Sequence, residues 1–154
     1  MTQRLNLYTA APKALEPLIA LGPAIAASTL EPSLIHLVEI RASQLNGCAN
    51  CLHMHTADAR ALGEREERIY LLDAWRESAM FTPRERAALG WTEALTKVAE
   101  THAPDADYQA LIPQFNEAEI VYLSVLIAAI NSWNRIAIGL RVEHPNDRRL
   151  KAAA

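Results

Sequence analysis

Residues 39–57 have the sequence E-I-R-A-S-Q-L-N-G-C-A-N-C-L-H-M-H-T-A, and the interpretation of the whole chain starts from this stretch. It contains both cysteines of the protein, Cys48 and Cys51, in a C-x-x-C-x-x-x-H pattern that ends at His55. Because Asn46-Gly47 favours a turn, we predict that one helix ends there and the next begins near Cys48.

The two thiols and one histidine are predicted to share a face of that second helix. Residues three and four positions apart are neighbours on a helix surface, which groups Cys48 and Cys51 with His55 and directs His53 elsewhere. Unpaired N–H groups and the positive end of the helix dipole favour an anion at a helix start. A thiolate in that position has a lowered pKa and is the nucleophilic form of cysteine. The stretch therefore predicts a redox-active dithiol with a histidine one turn away.

Length and composition indicate one soluble domain. The chain has 154 residues, of which 51% are hydrophobic, so we predict a single domain over 1–154 with its core at about 11–140. A net charge of −3 gives no electrostatic reason to expect a nucleic-acid partner. The N-terminus lacks the apolar core of a signal peptide, and the apolar run 120–130 is too short to span a bilayer. Two cysteines three residues apart fit a reducing compartment, so we expect a cytoplasmic protein without a membrane partner.

The periodicity of apolar residues predicts an all-α protein, a bundle of about six to seven helices. Pro32 and Pro83 suit first helical positions, and Thr82 and Asn116 suit N-caps. The N-terminal half of the last helix is apolar on nearly all sides, which favours a central position or a subunit contact. Residues from His144 onward are predicted to be a tail. The predicted helices are 11–28 (interrupted by prolines), 32–45, 48–62, 64–78, 83–101, 106–112 and 117–140.

The cysteine pair admits other interpretations. Free cysteines are often small buried hydrophobes, although the glycine before the pair and the in-phase histidine oppose this. A thioredoxin-like motif requires a βαβ context, and a structural zinc site requires four ligands. Cys48, Cys51 and His55 match a known catalytic zinc ligand set, but one helical turn rarely supplies three tetrahedral ligands. That set stays open as an alternative, while our main prediction has no metal and no bound cofactor.

Two segments carry a resemblance to a known family. Residues 37–63, L-V-E-I-R-A-S-Q-L-N-G-C-A-N-C-L-H-M-H-T-A-D-A-R-A-L-G, resemble the alkylhydroperoxidase D-like core of the carboxymuconolactone decarboxylase superfamily. Residues 129–138, A-I-N-S-W-N-R-I-A-I, resemble the C-terminal segment of its small members. The signature is a glutamate upstream of C-x-x-C-x-x-x-H in a helical protein of this size, which is far more specific than a lone C-x-x-C.

The resemblance implies a role for each site residue. In members that act as peroxidases, the second cysteine attacks the peroxide, which makes Cys51 the thiol that becomes a sulfenic acid. Cys48 is then the proton donor and the resolving thiol. His55 and the upstream Glu39 form the proton relay that deprotonates the pair. General chemistry agrees, because a resolving cysteine close to a sulfenic acid limits over-oxidation.

The chain departs from the best-known family member at two positions. There the relay glutamate lies twelve residues before the first cysteine, whereas Glu39 lies nine before Cys48. A histidine precedes the second cysteine in that member, and the place is Asn50 here. A carboxylate among apolar neighbours needs a partner or a raised pKa. The alternative to a relay is therefore a structural salt bridge from Glu39 to Arg41 or Arg135.

Other histidines and tryptophans are interpreted as structural. His36 and His102 are taken as surface or satisfied histidines. Trp75, Trp91 and Trp133 are taken as core residues rather than as parts of a substrate site.

The resemblance implies an antioxidant enzyme of the peroxiredoxin type, which reduces alkyl hydroperoxides through a dithiol–disulfide cycle. Electrons would come from an external dithiol, a lipoyl-bearing or thioredoxin-like protein. The family assembles as homo-oligomers, trimers or hexamers. One alternative is carboxymuconolactone decarboxylase-like lactone chemistry, although those relatives work without this cysteine pair. Another is a non-enzymatic redox-responsive protein whose disulfide alters assembly.

Overall fold

The computed structural model describes residues 2–144 together with Asn146 and Arg149, and these residues fold as helices without strands. The all-α prediction is confirmed. The tail predicted from His144 onward lies largely outside the described residues. The described α-helices are α1 Leu7–Ala10, α2 Pro12–Ala26, α3 Pro32–Asn46, α4 Ala49–Ala61, α5 Glu66–Leu71, α6 Pro83–Thr96, α7 Val98–Thr101, α8 Asp105–Leu111 and α9 Glu117–Leu140, with a 3₁₀ helix Leu72–Glu77 after α5.

The predicted N-terminal caps form as expected. Thr82 and Glu85 make a reciprocal capping box at the start of α6, and Asn116 and Glu119 make another at the start of α9. Each box satisfies backbone N–H groups that have no partner inside the helix. Pro32 lies at the beginning of α3, where its missing N–H costs nothing.

The described helices are shorter and more numerous than predicted. The segment predicted as one helix over 64–78 divides at Leu72 into α5 and the 3₁₀ helix, and Ala74 has non-helical dihedrals. The segment predicted over 83–101 divides at Lys97, whose φ of −104° and ψ of 31° leave the helical region. By contrast, α2 continues through Pro17 and Pro23, so of the predicted kink or split the split does not occur. Each proline removes one hydrogen bond, which a helix tolerates when its neighbours pack.

The central helix is α3, because both large parts of the core include it. Val38 packs in a cluster with residues of α2, α6, α8 and α9. Leu37 and Ile40 pack in a second cluster with the 3₁₀ helix, α4 and α5. Each of these three side chains is fully buried, and burying a leucine or isoleucine stabilises a fold by about 1.5–3 kcal/mol. The centre of the protein is therefore the helix that precedes the cysteine pair.

One face of α9 is buried and the other is exposed. Leu123, Ile127 and Ile130 are in the core, whereas Val121 and Ile138 are exposed. By length and composition α9 alone among the described helices qualifies as a membrane span, and 44% of its most apolar window is buried in the protein. The buried polar contacts of α9, given below, identify it as a core helix of this fold.

A buried charged cluster joins α3 to the 3₁₀ helix and α6. The Arg41 side chain is buried, and it donates from Nε to Glu93 at 2.9 Å and from Nη1 to Asp73. Trp75 Nε1 donates to the same Glu93 at 2.8 Å, and Arg76 contacts its other oxygen at 2.6 Å. The buried charge of Arg41 is retained because it pairs with two carboxylates, the partly buried Glu93 and the exposed Asp73. Arg41 is therefore not the partner of Glu39.

We expect Gly47→Ala to lower the free energy of unfolding by about 1–2 kcal/mol, because its φ of +70° lies in the left-handed region that a Cβ disfavours. Nothing lies within 4 Å of the added Cβ, so the loss comes from the backbone alone. Urea denaturation measures it. The matched control is Gly139→Ala, on the exposed face of α9, where an added Cβ also has nothing within 4 Å. This substitution should leave the free energy of unfolding unchanged or raise it. Equal effects of the two substitutions would contradict the strain argument.

Candidate active site

The candidate site is built on a two-residue connection, Gly47 and Cys48, between α3 and α4. Gly47 adopts the left-handed conformation at the end of α3, where its N–H donates to Gln44 O at 3.2 Å. The next N–H, of Cys48, donates to Ser43 O at 3.0 Å. This pair of bonds is the Schellman arrangement that closes a helix at a glycine. Cys48 then has extended backbone and serves directly as the N-cap of α4.

The structure corrects the predicted position of the first cysteine. Cys48 precedes α4 rather than lying in its first turn, and its Sγ accepts a hydrogen bond from Cys51 N at 3.3 Å. The two cysteines form a disulfide, with Cα atoms 5.3 Å apart, within the range that disulfides require. The extended backbone of an N-cap brings the first Cβ towards the second. Both cysteines are buried.

Glu39 and His55 meet across the α3–α4 connection. Glu39 lies eight residues before Gly47 and His55 eight residues after it, so both lie at the same distance from the turn. His55 Nδ1 lies 2.9 Å from Glu39 Oε2, an ion-pair distance, although Nδ1 lacks a hydrogen bond of regular geometry. The spacing of nine residues between Glu39 and Cys48 therefore still brings the carboxylate to the histidine of the signature.

His36 is the residue that the sequence interpretation underestimated. Its Nδ1 donates to Glu39 Oε2 at 3.0 Å, so one carboxylate oxygen contacts two imidazoles. The i,i+3 spacing from His36 to Glu39 was the available signal, because it places both on one face of α3. His36 also lies twelve residues before Cys48, the position at which the best-known family member has its relay glutamate.

The three side chains shift one another's protonation. Burial alone would raise the pKa of Glu39, but the hydrogen bond from His36 and the contact with His55 hold that pKa below its usual value of 4.5. The bond to Glu39 raises the pKa of His36 above 6.5 in spite of burial, which acts in the opposite direction. The Asp58 charge also raises the pKa of His36. The geometry thus favours an ionised Glu39 beside a protonated His36.

The other side chains considered from sequence have different partners. Arg135 donates to Asn131 rather than to Glu39. The ring of His53 stacks on His144 with centroids 5.2 Å apart, and His53 is not among the residues that line the cavity beside Cys51. The exposed His102 caps α7 in a left-handed conformation.

An apolar cavity of about 330 Å³ opens beside the second cysteine. Its polar lining comes from Glu39, Asn50 and His55, with Cys51 among them. The remaining wall is apolar, so a small apolar molecule fits there better than a highly polar one. Trp133 was expected in the core but lines this cavity, whereas Trp75 and Trp91 are buried in the core as predicted. The principal apolar residues of the wall are Leu7, Ile19, Met54, Ile130, Trp133 and Ile136.

A buried amide network holds the turn against α9. Asn46 Nδ2 donates to Asn131 Oδ1 at 2.9 Å and to Asn134 Oδ1 at 2.8 Å. Asn134, fully buried, donates back to Ser43 Oγ at 3.0 Å. Asn131 donates to Thr96 and so extends the network to α6. This network is the structural role of Asn134, a residue of the C-terminal sequence segment that resembles the family.

Comparison with known proteins gives a family and close structural matches. The model of the carboxymuconolactone decarboxylase family matches residues 12–94. The uncharacterized protein YdfG of Bacillus subtilis (strain 168) is 39% identical over 140 residues, which cover 91% of this chain and 95% of that protein. An Agrobacterium tumefaciens crystal structure, described as a protein of unknown function and a candidate antioxidant defence protein AhpD, is 46% identical. It has a TM-score of 0.90 and the match covers 94% of this chain and 99% of that one.

More distant structures share the fold. The alkylhydroperoxidase AhpD core protein from Ralstonia eutropha JMP134 is 19% identical with a TM-score of 0.79, over 91% of this chain and 75% of that one. The debrominase Bmp8 is 17% identical with a TM-score of 0.77, over 92% of this chain and 76% of that one. At these identities the likeness concerns the fold alone.

The His36–Glu39 pair should stabilise the fold most between about pH 4.5 and 6.5. The raised pKa of His36 gives stability that is present below 6.5 and lost as pH rises through its folded-state pKa. The lowered pKa of Glu39 gives stability that is present above 4.5 and lost as pH falls further. Urea denaturation of wild type and His36→Gln should therefore show a difference in unfolding free energy that shrinks between pH 6 and pH 9.

The control for this pH series is His102→Asn, which removes an exposed histidine and suits the left-handed backbone there. The difference in unfolding free energy between wild type and His102→Asn should vary less with pH than the difference between wild type and His36→Gln. A His36→Gln difference that stays constant from pH 6 to pH 9 would contradict the pairing.

Proposed function

Because the chain belongs to the carboxymuconolactone decarboxylase family and has an alkylhydroperoxidase D-like fold, we propose that it is a cysteine peroxidase that reduces organic hydroperoxides. The observation that carries the proposal is the arrangement around one cavity. Cys51, Glu39 and His55 line it together, and Cys51 pairs with Cys48 in a disulfide.

The proposed cycle begins with the reduced dithiol. The Cys51 thiolate attacks the distal peroxide oxygen, so that a sulfur–oxygen bond forms, the oxygen–oxygen bond breaks and an alcohol leaves with a proton. The Cys48 thiolate then attacks the sulfenic acid, forming the disulfide and releasing water. An external dithiol reduces the disulfide by exchange and becomes oxidised itself. The sum is one hydroperoxide and one dithiol converted to alcohol, water and a disulfide.

Glu39 and His55 are assigned to proton transfer in this cycle. His55 follows Cys51 by four residues, which places both on one face of α4, and its Nδ1 contacts Glu39 Oε2 at 2.9 Å. An ionised carboxylate orients the imidazole and stabilises it when it takes the thiol proton. Cys48 supplies the proton to the leaving alcohol and resolves the sulfenic acid.

The apolar wall supports a substrate with an apolar organic group. Only a few polar groups face the cavity, and they lie beside Cys51, where the hydroperoxide must bind. A ligand of this kind has its apolar part among Leu, Ile, Met and Trp side chains and its peroxide at the thiol.

Further assignments accompany the proposal. The cycle uses no bound cofactor, and a lipoyl-bearing or thioredoxin-like protein is the electron donor. The exposed apolar residues of α9, Val121 and Ile138 among them, support a homo-oligomer, a trimer or hexamer. A dithiol enzyme of this type belongs in a reducing compartment, so we place it in the cytoplasm.

Two other functions would give experimental results different from those of a peroxidase. A carboxymuconolactone decarboxylase-like enzyme would turn over a lactone without using the thiols. A redox-responsive protein would form and break the disulfide without peroxidase turnover. The shared cavity of Cys51 and its acid–base partners favours the peroxidase over both.

The first test is peroxide consumption by the reduced protein, with thiols counted before and after reaction. We expect two thiols lost per chain in wild type, no reaction in Cys51→Ser, and a trapped sulfenic acid in Cys48→Ser. Glu39→Gln should lower the rate of peroxide consumption by about 10²–10⁴-fold, the usual contribution of acid–base catalysis. The matched control His53→Gln changes a histidine of α4 that does not line the cavity beside Cys51, and it should react like wild type.

Thiols that stay intact after excess peroxide at neutral pH would contradict the peroxidase. Reversible disulfide formation without turnover in the presence of a dithiol donor would instead identify the redox-responsive protein.

The second test concerns the substrate. The ratio of kcat/KM for cumene hydroperoxide to kcat/KM for hydrogen peroxide should be above one, because only the former fills the apolar cavity. Met54→Gln keeps the side-chain length at an exposed part of the cavity wall but makes its end polar, so we expect it to lower that ratio severalfold. An unchanged ratio would mean that the organic group binds elsewhere.

A further inference from the structure

Three potential metal ligands converge where α3 faces α4. The Nδ1 atoms of His36 and His55 lie 3.0 Å and 2.9 Å from the same oxygen, Glu39 Oε2. One ligand atom from each side chain lies within 4.8 Å of the others. Two imidazoles and one carboxylate form a set that binds divalent zinc and related transition metals. We propose that His36, Glu39 and His55 form a binding site for a divalent transition-metal ion, with Zn²⁺ as its best match.

The distances suit a small ion. Zinc binds imidazole nitrogen and carboxylate oxygen at about 2.0–2.2 Å, so its ligands lie about 3–3.5 Å from one another. The nitrogen–oxygen distances of 2.9 Å and 3.0 Å need only a slight opening to admit it. The two imidazole rings are tilted by 41° with centroids 6.3 Å apart, so they are not stacked on each other. The ion would replace the protons that Glu39 now shares with the histidines.

The burial of His55 is an independent indication of a ligand. Its side chain is 10% exposed, and its Nδ1 atom is buried without a hydrogen bond of regular geometry. A buried polar atom without a regular hydrogen bond destabilises the folded state, and a bond to a metal ion would remove that destabilisation. Glu39 contacts Nδ1 only as an ion pair and already receives a regular hydrogen bond from His36. His55 Nδ1 is thus directed at the carboxylate at the centre of the cluster, where a metal ion would contact it.

An ion and a further ligand have room to enter. Glu39 lines the 330 Å³ cavity together with His55, and a second cavity of about 240 Å³ together with His36. Water from either cavity can complete a tetrahedral set with three protein ligands, the arrangement of open zinc sites. The site differs from the cysteine-based set considered from the sequence, because both cysteines are joined in the disulfide and only His55 is common to the two.

Occupation of this site has a consequence for the proposed peroxidase. A bound ion withholds Glu39 and His55 from proton transfer, so it would suppress thiol chemistry until it leaves. That consequence rests on the proposed function, whereas binding of the ion does not.

The test uses the full chain in its oxidised form, in which thiol titration shows no free cysteine. After treatment with a chelator, Zn²⁺ is titrated by calorimetry, and Co²⁺ is added separately for its visible absorption bands. We expect one ion per chain in wild type. His36→Gln, at a partly exposed position, should weaken Zn²⁺ binding at least about tenfold, and Glu39→Gln should do the same.

The matched control is His53→Gln, which removes a histidine two residues from His55 without touching the cluster. It should bind Zn²⁺ like wild type, and circular dichroism checks the fold of every variant. Absence of binding, or equal affinity in wild type and His36→Gln, would overturn the proposal. So would binding that appears only after reduction and disappears in Cys51→Ser, because the ion would then belong to the thiols.

The two proposals fail separately. Zinc binding in a protein that never consumes peroxide sustains the metal site and rejects the peroxidase. Peroxide consumption by a protein that binds no zinc supports the peroxidase and rejects the metal site.

Discussion

The structure depends on the connection between α3 and α4, where one helix closes and the next opens within two residues. Gly47 supplies the left-handed conformation, and the Cys48 N–H closes α3 while the Cys48 backbone and Sγ begin α4. So short a link leaves the two helices little freedom relative to each other. The turn brings the acid–base residues of the two helices together, and their contacts with Glu39 then hold them in place.

The polar groups in the core reinforce that connection. Asn46, next to the turn, is bound by two amides of α9, and one of these returns a bond to Ser43. Buried amides are stable only when their donors and acceptors are paired, so this network fixes a single position of α9 against the turn. Because α9 also lines the cavity, the shape of the binding site and the geometry of the cysteines are coupled through one set of hydrogen bonds.

The sequence predicts the helical class and the start of most long helices, because prolines and capping boxes act locally. It predicts the grouping of Cys51 with His55 for the same reason, since helical spacing decides it. It does not predict the breaks at Leu72 and Lys97, which contain neither proline nor glycine. The sequence also does not predict the contact between Glu39 and His55, because this contact depends on the angle between two helices. The i,i+3 spacing alone could have predicted the contact of His36 with Glu39. Its importance becomes clear only when His55, across the turn, is known to contact the same carboxylate.

The two-residue link also restricts which insertions and deletions this site can survive during evolution. Losing or gaining a single residue between the glutamate and the turn would rotate it by about 100° and remove it from the histidine. A shift of three or four residues, close to one helical turn, returns it to nearly the same face. The glutamate nine residues before Cys48, instead of twelve as in the best-known family member, is such a shift, and His36 now occupies the vacated place. Related proteins whose spacings differ by about one turn can therefore keep the glutamate on the same face of the helix, although it then lies about 4.5 Å further along the helix axis.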